Sequence, residues 1–89
     1  MKHFFTQEFE ECIRKGEQFL QKAELAQTVG NLEGAQEDIS SAYSMFECAE
    51  TSSKDDIEHL ISAKSKKYYC QELLEEIDSR RKEEMEIEK

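Results

Sequence analysis

The chain is 89 residues long, sets 21 acidic against 12 basic side chains for a net charge of −9, and contains no proline. A chain of this length buries somewhat over ~60% of its unfolded surface, enough for one modest core and too little for a separately walled active site. The charge repels nucleic-acid phosphate and anionic lipid, and it favours a basic or mixed-charge protein surface as partner.

Charged and hydrophobic residues each make up 37% of the chain. The apolar residues recur at helical spacing, which a disordered chain of the same composition would lack. No run approaches the ~20 apolar residues of a membrane span, and Met1 to Phe9 does not read as a secretory leader. A cytoplasmic protein with no membrane insertion is expected.

The first helix is predicted from about Thr6 to Val29. Its apolar side reads Phe5, Phe9, Cys12, Gly16, Phe19, Ala23 and Ala26. Steps of three and four hold these residues on one stripe, which Ile13 and Leu20 widen. Gly30-Asn31 then ends the helix, because Gly reaches left-handed dihedrals without a Cβ clash and Asn caps the helix that follows. A joint this short forces an antiparallel helical hairpin.

The second helix is predicted from Leu32 to about Glu50, with the stripe Leu32, Ala35, Ile39, Ala42, Phe46 and Ala49. Its charges are Glu33, Glu37, Asp38, Glu47 and Glu50, all acidic. Thr51-Ser52-Ser53 forms the next joint, and Ser53 with Asp56 has the spacing of a capping box.

The third helix is predicted from about Lys54 to Ile77. Its stripe is Leu60, Ala63, Lys67, Cys70, Leu74 and Ile77, with only the aliphatic stem of Lys67 joining the core. A second apolar set, Ile57, Ile61, Tyr68, Tyr69 and Leu73, lies beside it. Residues 78–89 are nearly all charged and are expected to form a solvated, fraying helical tail, with Glu76–Arg80 and Asp78–Lys82 at pairing distance. The second helix would be ~28 Å long and the third with its tail ~50 Å, so the last turns must overhang. The expected fold is all-α: an antiparallel three-helix bundle over residues 1–77, with a long third helix overhanging at the C-terminus.

Signatures of chemistry are missing. There is no Gly-rich phosphate loop and no local Ser, His and acid arrangement. Cys12, Cys48 and Cys70 are odd in number and far apart in sequence, which argues against a disulfide scaffold. Cys12 and Cys70 fall on core stripes and read as buried structural thiols. His3 and His59 do not cluster with other metal ligands. No enzyme, no metal and no cofactor is expected. Tyr43, Tyr68 and Tyr69 cannot all enter one core, and some must border a surface where Tyr supplies binding energy.

The run Gly30-Asn31-Leu32-Glu33-Gly34-Ala35, followed by Ala42 and Phe46, resembles the hairpin of an MIT (microtubule-interacting and trafficking) domain. Ile61-Ser62-Ala63-Lys64 followed by Tyr68 is similar to a segment of that family's third helix. The resemblance spans roughly Gln18 to Ile77. It implies a bundle that holds a short helical or extended peptide between two helices, the peptide coming from the tail of an ESCRT-III-like subunit. After Tyr68 the chain departs from the family's pattern: Cys70, Glu72, Leu73 and Glu75 displace its acidic anchors for a basic peptide residue. The same hairpin also resembles a single tetratricopeptide repeat, of which no second copy follows.

The expected function is a non-catalytic protein-interaction module that binds a partner's helical or extended peptide in an inter-helix groove. The apolar residues off the main stripes, Met45, Ile61, Tyr68, Tyr69 and Leu73, are the candidate contacts. One alternative is a small acidic phage or bacterial inhibitor or chaperone that masks a basic surface. Another is a homodimeric helical protein paired through its long third helix, so monomer and homodimer both stay open.

Overall fold

The computed structural model describes the backbone of residues 2–53 and 56–88, and the side chains of residues 8–53 and 56–84. Three helices account for nearly all of it: α1 (Lys2–Thr28), α2 (Leu32–Ser52) and α3 (Ile57–Glu88). They form an antiparallel bundle in which α2 packs along both neighbours, while α1 and α3 approach each other less closely.

The α1–α2 joint is fixed by its own backbone. Gly30 adopts φ +83°. Its N–H donates to the Gln27 carbonyl at 3.0 Å, and the Asn31 N–H donates to the Ala26 carbonyl at 2.8 Å. This pair of bonds is the Schellman closure of a helix C-terminus. Asn31 then opens α2, its side-chain oxygen accepting from the Gly34 N–H at 3.0 Å.

The second joint differs from the expected capping box. The Ser53 hydroxyl donates back to the Glu50 carbonyl at 3.0 Å, and the Ser53 N–H bonds the same carbonyl. Ser53 is thereby committed to closing α2. Asp56 caps α3 instead, its carboxylate accepting from the His59 N–H at 3.1 Å.

All six residues of the α2 stripe are buried. Leu32, Ala35, Ile39, Ala42 and Phe46 join Ala23 of α1 and Cys70 and Ile77 of α3 in one large core. Ala49 joins Phe9, Cys12 and Ala63 in a second, smaller core toward the Ser53 end. Gly16 makes room for the central ring: a Cβ there would lie 2.7 Å from Phe46 Cζ. Burial on this scale, at about 25 cal/mol per Å² of apolar surface, is what holds the helices together.

Lateral contacts set the stagger of α1 against α3. Phe9 stacks on His59 with ring centroids 4.1 Å apart, Lys66 Nζ meets Glu17 at 3.0 Å, and Arg80 reaches Gln27 at 3.5 Å. These pairs run parallel along the two helices, so α1 protrudes at one end and α3 at the other. The molecule is therefore 58 Å long, although α3 alone spans only ~48 Å.

Helix boundaries differ modestly from the sequence reading. α1 begins at Lys2 rather than near Thr6, α2 continues to Ser52, and α3 begins at Ile57 and stays helical to Glu88. Residues 78–84 are exposed. Asp78 pairs with Lys82 at 3.4 Å. The expected Glu76–Arg80 pair is absent among the described residues, because Arg80 turns to Gln27 and Arg81 bonds Gln36 of α2. The side chains of His3, Phe5, Met85 and Ile87 lie outside the described residues. Among the described residues, no helix is long and apolar enough to cross a membrane.

Candidate functional site

α3 is apolar on two opposite sides. Ala63, Cys70 and Ile77, seven apart, face the core and are buried. Ile57, Ile61 and Tyr68 fall together on the far face, as spacings of four and seven require, and are 73%, 59% and 63% exposed. Tyr69 is 52% exposed at the edge of that face. Leu73 is half-buried against the large core. It shares a heptad position with Lys66 and Arg80, both of which reach α1. The surface thus descends from the outer ridge of α3 toward α1.

Met45 does not belong to that surface. It lines a groove of about 450 Å³ on the α1–α2 side with Lys15, Gln18, Phe19 and Lys22. Lys22 Nζ lies 5.5 Å from the centre of the Phe19 ring. The structure therefore places Ile61, Tyr68, Tyr69 and Leu73 on α3 and sets Met45 apart. The reason is rotational: Met45 precedes Phe46 on the edge of α2 that faces α1, whereas α3 packs the opposite edge.

That opposite edge holds a compact ionic contact. Lys67 Nζ lies 3.2 Å from Glu50, 3.9 Å from Glu47 and 5.3 Å from the centre of the Tyr43 ring. Burial pulls the Lys67 pKa down, but the Glu50 hydrogen bond and the fields of Glu50, Tyr43 and Glu47 outweigh it, so the pKa is raised. Lys67 thus contributes its stem to the bundle and its charge to α2. Glu33, Glu37 and Asp38 have no salt-bridge partner among the described residues.

The thiols are not all separate. Cys12 and Cys70 are buried and Cys48 is exposed, yet Cys12 Sγ and Cys48 Sγ lie 3.2 Å apart. Burial, the Cys48 hydrogen bond and the fields of Cys48 and Glu8 outweigh that of Lys15 and push the Cys12 thiol up to about 11. Burial alone does the same to Cys70, also to about 11. The sequence carries part of the signal for the pair: each cysteine lies 18 positions from Gly30, and residues equidistant from a hairpin joint lie at the same height along it. Among the described residues, no group of three or more His, Cys, Asp or Glu could hold a metal ion.

No family model, curated protein or solved structure matches the chain.

Proposed function

We propose that this protein is a non-catalytic interaction module that docks an amphipathic peptide segment of a partner along α3. The observation that carries the reading is the outer face of α3, where Ile57, Ile61 and Tyr68 are aligned and exposed. Three large apolar groups on one solvent face cost solubility and contribute nothing to the core. Such a patch is characteristic of a binding surface. Tyr69 and Leu73 extend it toward α1, and the half-buried Leu73 supplies a floor. The resemblance to the MIT domain suggests the partner class, a helical or extended ESCRT-III-like tail. Met45, with Phe19 and its flanking lysines, is a secondary contact for a segment that wraps to the other side.

A second reading rests on α2. Glu33, Glu37 and Asp38 give it an acidic end with no salt-bridge partner among the described residues. This end suits a basic target surface, as an inhibitor or chaperone would require. The third reading, a homodimer through α3, would bury the same apolar ridge against its twin.

The test is a pull-down from source-organism lysate at low and high salt, using wild-type protein, Ile61→Asp/Tyr68→Asp, and Glu33→Gln/Glu37→Gln. Capture that survives high salt and is lost only in the Ile61/Tyr68 variant, with its helicity and melting unchanged, supports the α3 reading. Capture that survives the Ile61/Tyr68 change sinks it. Capture lost with salt and with the Glu33/Glu37 change supports the acidic reading. Sedimentation of the wild type as a monomer removes the homodimer.

A further inference from the structure

The two thiols of the α1–α2 seam suggest a chemistry that peptide docking does not use. Cys12 Sγ and Cys48 Sγ are 3.2 Å apart, and a disulfide needs ~2.04 Å. The sulfurs need to approach by only about 1 Å, within the rotamer adjustment of two side chains. Their exposures are unequal: Cys12 sits in the small core at 8%, while Cys48 is open to solvent. Reagents therefore meet Cys48 first and find Cys12 directly behind it. The third thiol, Cys70, is buried in the other core and reaches neither.

We propose that Cys12 and Cys48 form an oxidisable dithiol that closes a reversible disulfide between α1 and α2 when the protein meets a hydroperoxide. In the first step the Cys48 thiolate attacks the peroxide oxygen, the O–O bond breaks, and Cys48 becomes a sulfenic acid as hydroxide leaves. In the second step Cys12 gives up its proton and attacks the Cys48 sulfur, the S–O bond breaks, and water leaves. Two thiols are oxidised by two electrons, and one hydrogen peroxide is reduced to two waters. A dithiol reductant reverses the change by exchange. Burial keeps Cys12 protonated at neutral pH, so the second step is slow there and faster as pH rises.

The cross-link would join residues 36 positions apart beside the smaller core, so it would staple the less heavily packed end of the bundle. Closing a loop of this size restricts the unfolded chain and stabilises the fold.

The experiment treats the fully reduced, full-length protein with hydrogen peroxide, then applies non-reducing peptide mapping by mass spectrometry and thermal melting. Wild type and Cys70→Ser are expected to lose two hydrogens, to yield a cross-linked peptide joining Cys12 to Cys48, and to melt roughly 10 °C higher. Dithiothreitol should restore the original mass and melting point. Cross-linking should accelerate between pH 7 and pH 9. In Cys12→Ser, Cys48 should instead go on to sulfinic acid or form dimers between chains. The proposal is overturned if wild-type Cys48 reaches sulfinic acid or an intermolecular dimer while Cys12 remains alkylatable after denaturation. It is equally overturned if peroxide leaves both thiols free.

Discussion

The Gly30 end and the Ser53 end of the bundle use the same three helices with unequal side chains. Toward Gly30, α2 inserts Leu32, Ile39 and Phe46, and α3 adds Ile77, all nearly or fully buried. Toward Ser53, the seam is two alanines, a cysteine and Phe9, whose ring stacks on His59. Apolar area removed from water scales with side-chain size, so the first end carries most of the stability. Local opening should start at the other, since opening follows low local contact density. The same end begins the exposed ridge of Ile57 and Ile61 and holds the paired thiols.

The largest break in that comparison comes from Phe46→Ala, which should cost about 3–5 kcal/mol in urea unfolding, because Phe46 is fully buried at the centre of the large core. A loss below ~2 kcal/mol would mean that the core collapses into the vacated space.

Alkaline pH probes the same core chemically. Cys70 is held neutral by burial, with its pKa raised from 9.0 to about 11. The unfolded thiol ionises first, so the stabilisation is complete below about pH 9 and is lost as pH rises to about 11. That loss amounts to roughly 2–3 kcal/mol. Cys70→Ala should remove this part of the decline, leaving the contributions of Cys12, whose pKa is also raised to about 11, and of Lys67, which have the same sign.

Phe9→Ala deletes a ring of the same size as Phe46→Ala but should cost only about 1.5–3 kcal/mol, because Phe9 keeps 7% exposure where Phe46 has none, which leaves water a path into the vacated space. Equal losses at the two positions would erase the distinction between the ends. The smallest expected effect is Asp56→Ala. Removing the cap of α3 should cost about 1 kcal/mol and speed amide exchange in residues 57–62, with residues 70–77 unaffected.

The sequence made the heavier end easier to read. The α2 stripe from Leu32 to Ala49 is an unbroken three-four alternation, and every member is buried. Gly30-Asn31 is legible for a similar reason: the joint needs a positive φ and then a side-chain acceptor, and few residue types supply them. At the Ser53 end, Ser53 and Asp56 were both chemically able to cap α3. Which one does so depends on the Glu50 carbonyl claiming Ser53, a three-dimensional fact.

The candidate contacts were read less evenly. Ile61, Tyr68 and Tyr69 are exposed as an off-stripe position implies, and Leu73 is half-buried. Met45 lies apart from them, on the α1–α2 side; periodicity gives each residue's angle on its own helix but not which neighbour occupies that angle. The Cys12–Cys48 contact lay hidden for a related reason. Cys48 is off the α2 stripe, and only the register across the hairpin brings it to Cys12.

The Gly30 joint has a further consequence for what changes the chain can absorb. Asn31 both donates the last bond of α1 and caps α2, so no residue in the joint is spare. One residue added there would turn α2 by about 100° around its axis. Ala35, Ala42 and Ala49 would give way to Gly34, Ser41 and Cys48 in the seam, and Asp38 would take the place of Ile39. The hairpin should therefore accept substitutions far more readily than changes in length. Extra residues are better carried at the protruding ends of α1 and α3, where no neighbouring helix has to stay in register.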